Sequence, residues 1–396
     1  VKNIGLGRWV LAFLICLASA QVLAVSEISG TADPSSPEID RVVNALCSKD
    51  VVLLGEDAHH AGATTIAVKV ELIELLTRKC GFRGMVFESQ FYDLLDFGHA
   101  VAAGSATREQ LADAIGAVWS RYPEFRSFAG WLHEEANAGR IHVAGMDAQA
   151  GGIAQHYSLQ RLPGVLSSVL AGARRVECET RIARQNGWGY DDTHPYDADA
   201  LEELHRCLRD IQDNLDAAKA SVDLRAMADS YARYLEFSDG DEHGLRDRAM
   251  YENLLWIRSH WPKGVRVIVW CASVHAAKTA DGAREGFRPL GSYVHEAFGD
   301  EAAAIGFSAL DGSYGNVGGG GTPHALGIAL EGSLETRAYE DVSGQALRFL
   351  DFPQLKAMGV ISARALNYAK PMTVDWSKLL DGMIVLRRET PAVAKP

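Results

Sequence analysis

The stretch Val51-Val52-Leu53-Leu54-Gly55-Glu56-Asp57-Ala58-His59-His60 passes within two residues from wholly apolar to ionisable. Four aliphatic residues in a row, closed by a glycine, read as a short strand buried on both faces. A charge at the tip of such a strand costs free energy unless it is paired or used. The same transition recurs along the chain. Gly84–Phe87 runs into Glu88, Ile141–Ala144 leads through Gly145 and Met146 to Asp147, and Val265–Trp270 leads to His275. A fifth apolar run is Ala303–Phe307.

Helical patterns separate these runs. Thr64–Lys79 carries Ile66, Val70, Ile73 and Leu76 close to a 3.6-residue period, and Gly81 follows as its C-cap. Alternating strands and helices imply an α/β fold: a mainly parallel sheet with helices on both faces. From about 155 to 262 the pattern is charged and helical, with a turn-rich break at Asn186–Pro195. This reads as an inserted helical cap subdomain over the strand ends. The run Gly318–Gly321 lacks the strand, the helix start and the Lys-Ser/Thr of a phosphate cradle, and reads as a surface loop.

The first residues suggest export. Lys2 and Arg8 precede an apolar stretch from Trp9 to about Ala18, and Val22-Leu23-Ala24 resembles a cleavage site. We expect residues 1–24 to be a signal peptide, 25–37 a flexible lead-in and 38–396 one catalytic domain, placed in the periplasm or secreted. Loss of Lys2 and Arg8 takes the net charge from −12 to −14. That balance argues against nucleic acid and anionic membrane surfaces as partners. After the leader five cysteines remain. Cys178 with Cys207 and Cys47 with Cys80 can pair in an oxidising compartment. Cys271, inside an apolar run, reads as a buried thiol. Pairing does not follow from spacing, and no C-x-x-C is present.

In open α/β sheets ligands bind beyond the carboxyl ends of the strands. The strand-tip residues Glu56, His59, His60, Glu88, Asp147 and His275 would therefore meet in one cleft. A carboxylate beside an imidazole raises its basicity and fixes its tautomer, so Glu56 with His59 suits general-base work, with Glu88 and His275 completing the site. Asp147 also reads as a helix N-cap, and His60 as a solvated or supporting neighbour. There is no G-x-S-x-G elbow and no H-E-x-x-H. No cofactor is expected, although histidine and carboxylate ligands leave a divalent metal open.

These residues resemble the erythromycin esterase family. Its G-E-A-T-H reads here Gly55-Glu56-Asp57-Ala58-His59. Gly81-Phe82-Arg83 and the strand ending in Glu88 follow in order, then Gly145-Met146-Asp147, then Arg246-Asp247 through Asn253. The family's W-A-H-N-A-H reads Trp270-Cys271-Ala272-Ser273-Val274-His275, so the first imidazole is Ala272 here. Asp381–Ile384 and Thr390–Ala392 match the family's ending. The resemblance implies attack of water on an ester or macrolactone with His59 as base, oriented by Glu56. Glu88 and His275 would surround the water and the carbonyl, and Arg246 would neutralise the oxyanion. Lys69 stands near a basic residue of the family and, with Arg246, Asp147 and His60, is assigned to substrate binding. The partner implied is a small-molecule ester or lactone. A metal-dependent hydrolase using the same cleft, and a binding protein that has lost catalysis, remain the competing readings.

Overall fold

The computed structural model describes residues 36–152, 156–238, 240, 244–282 and 284–394. The predicted leader, 1–24, lies outside them, as does all of the lead-in except Ser36 and Pro37. Pro37 opens a helix, Pro37–Leu46, as proline at a first helical turn can.

The strands are β1 (Val51–Leu54), β2 (Gly84–Gln90), β3 (His142–Asp147), β4 (Val267–Trp270), β5 (Ala302–Tyr314), β6 (His324–Ala325), β7 (Leu347–Asp351), β8 (Val360–Ala363), β9 (Met372–Asp375) and β10 (Gly382–Glu389). The main sheet runs β3-β2-β4-β1-β5-β10-β7, with β6 paired to the far end of β5. From β3 to β10 every neighbour is parallel; β7 is antiparallel to β10, and β8 with β9 forms a separate hairpin. The sheet is thus mainly parallel, as the sequence implies.

Successive side chains of a strand point to opposite faces, and the core divides accordingly. Val52, Leu54, Phe87, Trp270, Ile305 and Ile384 join the helices Pro37–Leu46, Ala63–Cys80 and Pro123–Asn137 on one face. Val51, Leu53, Val86, Met146 and Val269 point to the other. There, among the described residues, six helices fill the interval between β3 and β4: Tyr157–Gln160, Leu162–Ser167, Gly172–Asn186, Ala198–Asn214, Val222–Phe237 and Leu245–His260. Their Leu162, Ile182, Leu208, Tyr231 and Met250 share one apolar cluster with the strands. The helical insertion is therefore the layer that covers half of this face, built into the sheet's own core. Under β5, β10 and β7 the same face is covered by the β8–β9 hairpin with Leu355, Trp376 and Leu379.

Helix Ala63–Cys80 ends at Gly81, whose φ of 74° is left-handed, as a C-cap glycine permits. No helix among the described residues is long and apolar enough to cross a membrane. Cys47 is bridged to Cys80, and Cys178 to Cys207. The first bridge ties the end of Pro37–Leu46 to the end of Ala63–Cys80; the second ties Gly172–Asn186 to Ala198–Asn214. Cys271 is a buried thiol.

The chain from residue 25 onward, made under oxidising conditions and denatured without reductant, is expected to titrate one thiol, that of Cys271. A count of three or more would mean that a bridge is absent. Replacing Cys178 and Cys207 together by alanine should lower stability by about 2–4 kcal/mol in denaturant titrations.

Candidate active site

The loop after β1 owes its path to Gly55. A β-carbon there would lie 2.6 Å from the Ser273 hydroxyl oxygen and 2.8 Å from its Cα, so only glycine lets the exits of β1 and β4 pass this closely. The contact is fixed by the Ser273 N–H, which donates to the Glu56 carbonyl at 2.7 Å. Glu56 then turns inward. Its Oε1 accepts from Trp119 Nε1 at 2.6 Å and bonds His60 Nδ1 at 2.8 Å. Its Oε2 accepts from Lys69 Nζ at 2.8 Å and Trp270 Nε1 at 3.1 Å. Burial pushes this carboxyl up, but Lys69 and His60 outweigh it and hold the group below its usual range. Burial likewise pushes Lys69 down, and Glu56 only partly restores it.

These contacts correct two assignments. Glu56 does not orient His59; its carboxylate is taken by His60, Lys69 and two indoles. Lys69 is not a substrate contact, being fully buried with its ammonium on Glu56 and 4.3 Å from the Trp270 ring centre.

His59 is held by Asp57 instead. Its Nδ1 lies 2.7 Å from Asp57 Oδ2, and the same oxygen accepts the His59 backbone N–H at 2.9 Å. The other oxygen, Oδ1, accepts the Tyr368 N–H at 2.6 Å. The Asp57 hydrogen bond raises the His59 pKa above its usual value despite partial burial. The imidazole packs 4.8 Å from the Tyr314 ring and 6.4 Å from that of His324. Among the described residues no hydrogen bond occupies its Nε2, and the side chain keeps 28% of its exposure.

The remaining strand tips form a second group. His275, in the short helix Ser273–Ala276, meets Asp247 through Nδ1 at 2.8 Å and Glu88 through Nε2 at 3.2 Å. Burial pushes the imidazole down, but Asp247 and Glu88 prevail and carry it up to about 10. Glu88 Oε2 accepts the Ala272 N–H at 2.8 Å, and Oε1 accepts Arg246 Nη2 at 3.1 Å. Against the effect of burial, His275, His60 and Arg246 hold Glu88 well below the usual carboxylate range. Asp147 pairs with Arg246 through Nη2 at 2.6 Å and Nε at 3.2 Å. Asp147 is buried and caps no helix; its Oδ1 accepts the Gln149 N–H, two residues on, in a turn. It positions Arg246, which keeps 26% of its side-chain exposure while Asp147 keeps 3%. Among the described residues no three His, Cys, Asp or Glu side chains group as a metal site.

Asp57 and Asp247 were missed as working residues. Each stands beside a residue already singled out, and adjacency was the available cue. Trp119, Tyr314 and His324 come from turns and strand ends far away in the chain and carry no such cue.

The sequence profile of the erythromycin esterase family matches residues 77–388. The chain belongs to the erythromycin esterase family. The match includes Glu88, Asp147, Arg246 and His275 and begins after the loop of Glu56 and His59. A Bacillus cereus protein is 17% identical with a TM-score of 0.66, over 92% of this chain and 95% of its own. A protein described as a succinoglycan biosynthesis protein is 15% identical at 0.66, over 91% and 94%. A mutant of the erythromycin esterase EreC in its open conformation is 14% identical at 0.64, over 88% and 93%. At these identities the solved structures show the shared fold. Family membership supports a hydrolase.

The pH behaviour of the buried group follows from its pairing. His275 is raised from 6.5 to about 10, so its contribution to stability is full below about pH 6.5 and is lost as pH rises through 10. In Asp247→Asn the ring should titrate well below 10, read from its imidazole proton shifts by NMR. Breaking this buried pair should cost about 3–5 kcal/mol at neutral pH. An unchanged titration would remove Asp247 from the assignment.

Proposed function

We propose that the protein is an exported hydrolase that opens an ester or lactone with water, His59 acting as general base. The observation that carries this reading is the Asp57–His59 pair at the tip of the central strand. With Nδ1–H donated to Asp57, Nε2 is left as the proton acceptor. Nε2 takes a proton from water as the water oxygen bonds the carbonyl carbon, and Asp57 stabilises the imidazolium formed. The tetrahedral oxyanion is met by the exposed edge of Arg246, locked in place by Asp147 and Glu88. Collapse breaks the bond to the leaving oxygen, which takes the proton back from His59. Products are a carboxylic acid and an alcohol, joined in one molecule when the substrate is a lactone. The sheet order supports this reading, since β4, which leads to His275, pairs directly with β1.

Export rests on the leader pattern and on two disulfides, which persist in oxidising compartments. The partner is a small ester or lactone, and the charge of −12 disfavours nucleic acid.

One observation favours His60 as the base instead. Its φ of 54° is left-handed, a strained state often kept at working residues, and its Nδ1 is fixed by Glu56.

On a panel of p-nitrophenyl esters and macrolactones, His59→Ala should reduce kcat/KM by about 10²–10⁴ and His60→Ala by far less. The reverse ranking would transfer the role to His60. Because the base works neutral, kcat/KM should rise with pH through a midpoint above 6.5 that falls toward 6.5 in Asp57→Asn. Turnover should survive EDTA; loss restored by a divalent metal would favour the metal-dependent reading.

A further inference from the structure

Glu389 closes β10 as a fully buried carboxyl group, and the mechanism above does not use it. Gly62 makes room for it: a β-carbon at Gly62 would lie 2.6 Å from Glu389 Oε2. The N-cap of helix Ala63–Cys80 therefore has no side chain of its own to offer. The first N–H groups of a helix have no partner within it. Here a distant strand supplies one. Glu389 Oε1 accepts the N–H groups of Thr64 at 2.9 Å and Thr65 at 3.3 Å, and that of Thr390 at 3.0 Å.

Capping accounts for one oxygen only. The other, Oε2, accepts the hydroxyls of Thr65 and of Tyr368, the latter at 3.0 Å. Tyr368 is buried, and its backbone N–H donates to Asp57 Oδ1 at 2.6 Å. Asp57 Oδ2 in turn holds His59 Nδ1. One line of contacts thus runs from the end of β10 through Tyr368 and Asp57 to His59. The far end of the same loop is tied to the chain beside Glu389: the Ala63 N–H donates to the Thr390 carbonyl and the Ala392 N–H to the Ala61 carbonyl, each at 2.8 Å. Burial pushes the Glu389 carboxyl up to about 7, the Thr65, Thr390 and Tyr368 donors pulling against it. Either protonation state keeps an oxygen that can accept the Tyr368 hydroxyl, so the link outlasts the titration.

We propose that Glu389 is a positioning residue for the Asp57–His59 pair and acts through Tyr368. An imidazole held by a carboxylate is placed only as well as that carboxylate is. A misplacement of about 1 Å in a reacting group can cost about 10²-fold in rate. The proposal deepens the hydrolase reading and rests on it for its effect on turnover.

The readout is the imidazole proton shift of His59 across pH by NMR, identified by its absence from His59→Ala. His59 is faced by Asp57 of its own loop, Tyr314 of β5 and His324 of β6, and all three stay in place in the variants. Wild type should titrate above 6.5. Tyr368→Phe removes the hydroxyl that reaches Glu389 and leaves the backbone N–H and the Glu389 carboxyl in place; the His59 midpoint should fall toward 6.5. Glu389→Met, which offers no comparable acceptor, should lower it likewise. Glu389→Gln is also uncharged but keeps an oxygen for the helix N–H groups and an amide for the Tyr368 hydroxyl, and should stay near wild type. A midpoint unmoved by Tyr368→Phe overturns the proposal. So does a Glu389→Gln midpoint that falls with that of Glu389→Met, because Glu389 would then act by its charge alone. Should a Glu389 variant fail to fold, Tyr368→Phe decides by itself, a lowered midpoint supporting the proposal and an unchanged one overturning it. On the ester panel the midpoint of kcat/KM should move with the imidazole. If the imidazole midpoint moves and turnover does not follow it, or wild type turns over no ester, the assignment of His59 as base fails and the positioning stands.

Discussion

The buried ion pair between Glu56 and Lys69 is the constraint on which the site depends. Both side chains are out of water, and their oxygen and nitrogen lie 2.8 Å apart. A carboxylate so placed is strongly unfavourable alone. Here it is met by a full cation and by N–H donors of Trp119 and Trp270. The four partners come from the helix after β1, from the turn near residue 119, from the end of β4 and from the loop itself. One anion thereby ties together elements that the chain delivers separately, and the loop carrying His59 and His60 has a defined course. Replacing the pair by apolar residues could leave the fold equally stable, but it would release that loop. Its value is in specifying a geometry more than in adding stability.

Beyond that hub the ionisable groups fall into two kinds. The cluster of Glu88, Asp147, Asp247, Arg246 and His275 is internally satisfied, each group spending its hydrogen bonds on another member or on backbone. Such a network holds Glu88 below and His275 above their usual ranges, which suits groups that hold a shape. The Asp57–His59 pair is different. Its imidazole keeps 28% of its exposure beside a buried Asp57, has one ring nitrogen without a hydrogen bond among the described residues, and has a pKa displaced upward by that neighbour. A group that accepts and returns a proton in each cycle must have two accessible states near working pH. On that physical ground His59 fits the proposed role of base, and the buried cluster fits that of a frame.

Much of this was legible in the chain itself. The five apolar runs became β1 to β5, because a strand buried on both faces must be written as continuous aliphatic sequence. Gly81 announced the end of its helix, and the ionisable strand tips fall into two hydrogen-bonded groups, Asp57 with His59 and Glu88, Asp147 and His275 with Arg246 and Asp247. Strands β7 and β10 were harder to see. Leu347–Asp351 and the end of Gly382–Glu389 mix arginines with aliphatics, Arg348 lying half-buried and Arg388 exposed. The pairing within the site was hidden for another reason. Sequence spacing places Glu56 three residues before His59, but the chain turns after Asp57, whose carbonyl accepts the N–H of a His60 with positive φ. Direction after a turn is set by tertiary contacts, here Lys69 and the two indoles, and no local pattern records them. Asp57 then takes the role that spacing had given to Glu56.

The alanine at position 272, where the family has an imidazole, bears on whether the site is complete. A lost ligand or hydrogen-bond donor inside a protein usually leaves its partner unsatisfied, and an unpaired buried carboxylate would be the sign. Glu88 is the natural place to look, because Ala272 touches it. Yet both Glu88 oxygens are satisfied, one by the Ala272 backbone N–H and the other by Arg246 and His275. The Ala272 methyl is packed away with only 2% exposure. The backbone thus performs at this position a task that needs no side chain, and the anion is held as firmly as the rest of the cluster. What the missing imidazole removes is a titrating side chain at the end of β4, and the proposed role of His59 as base does not call on it.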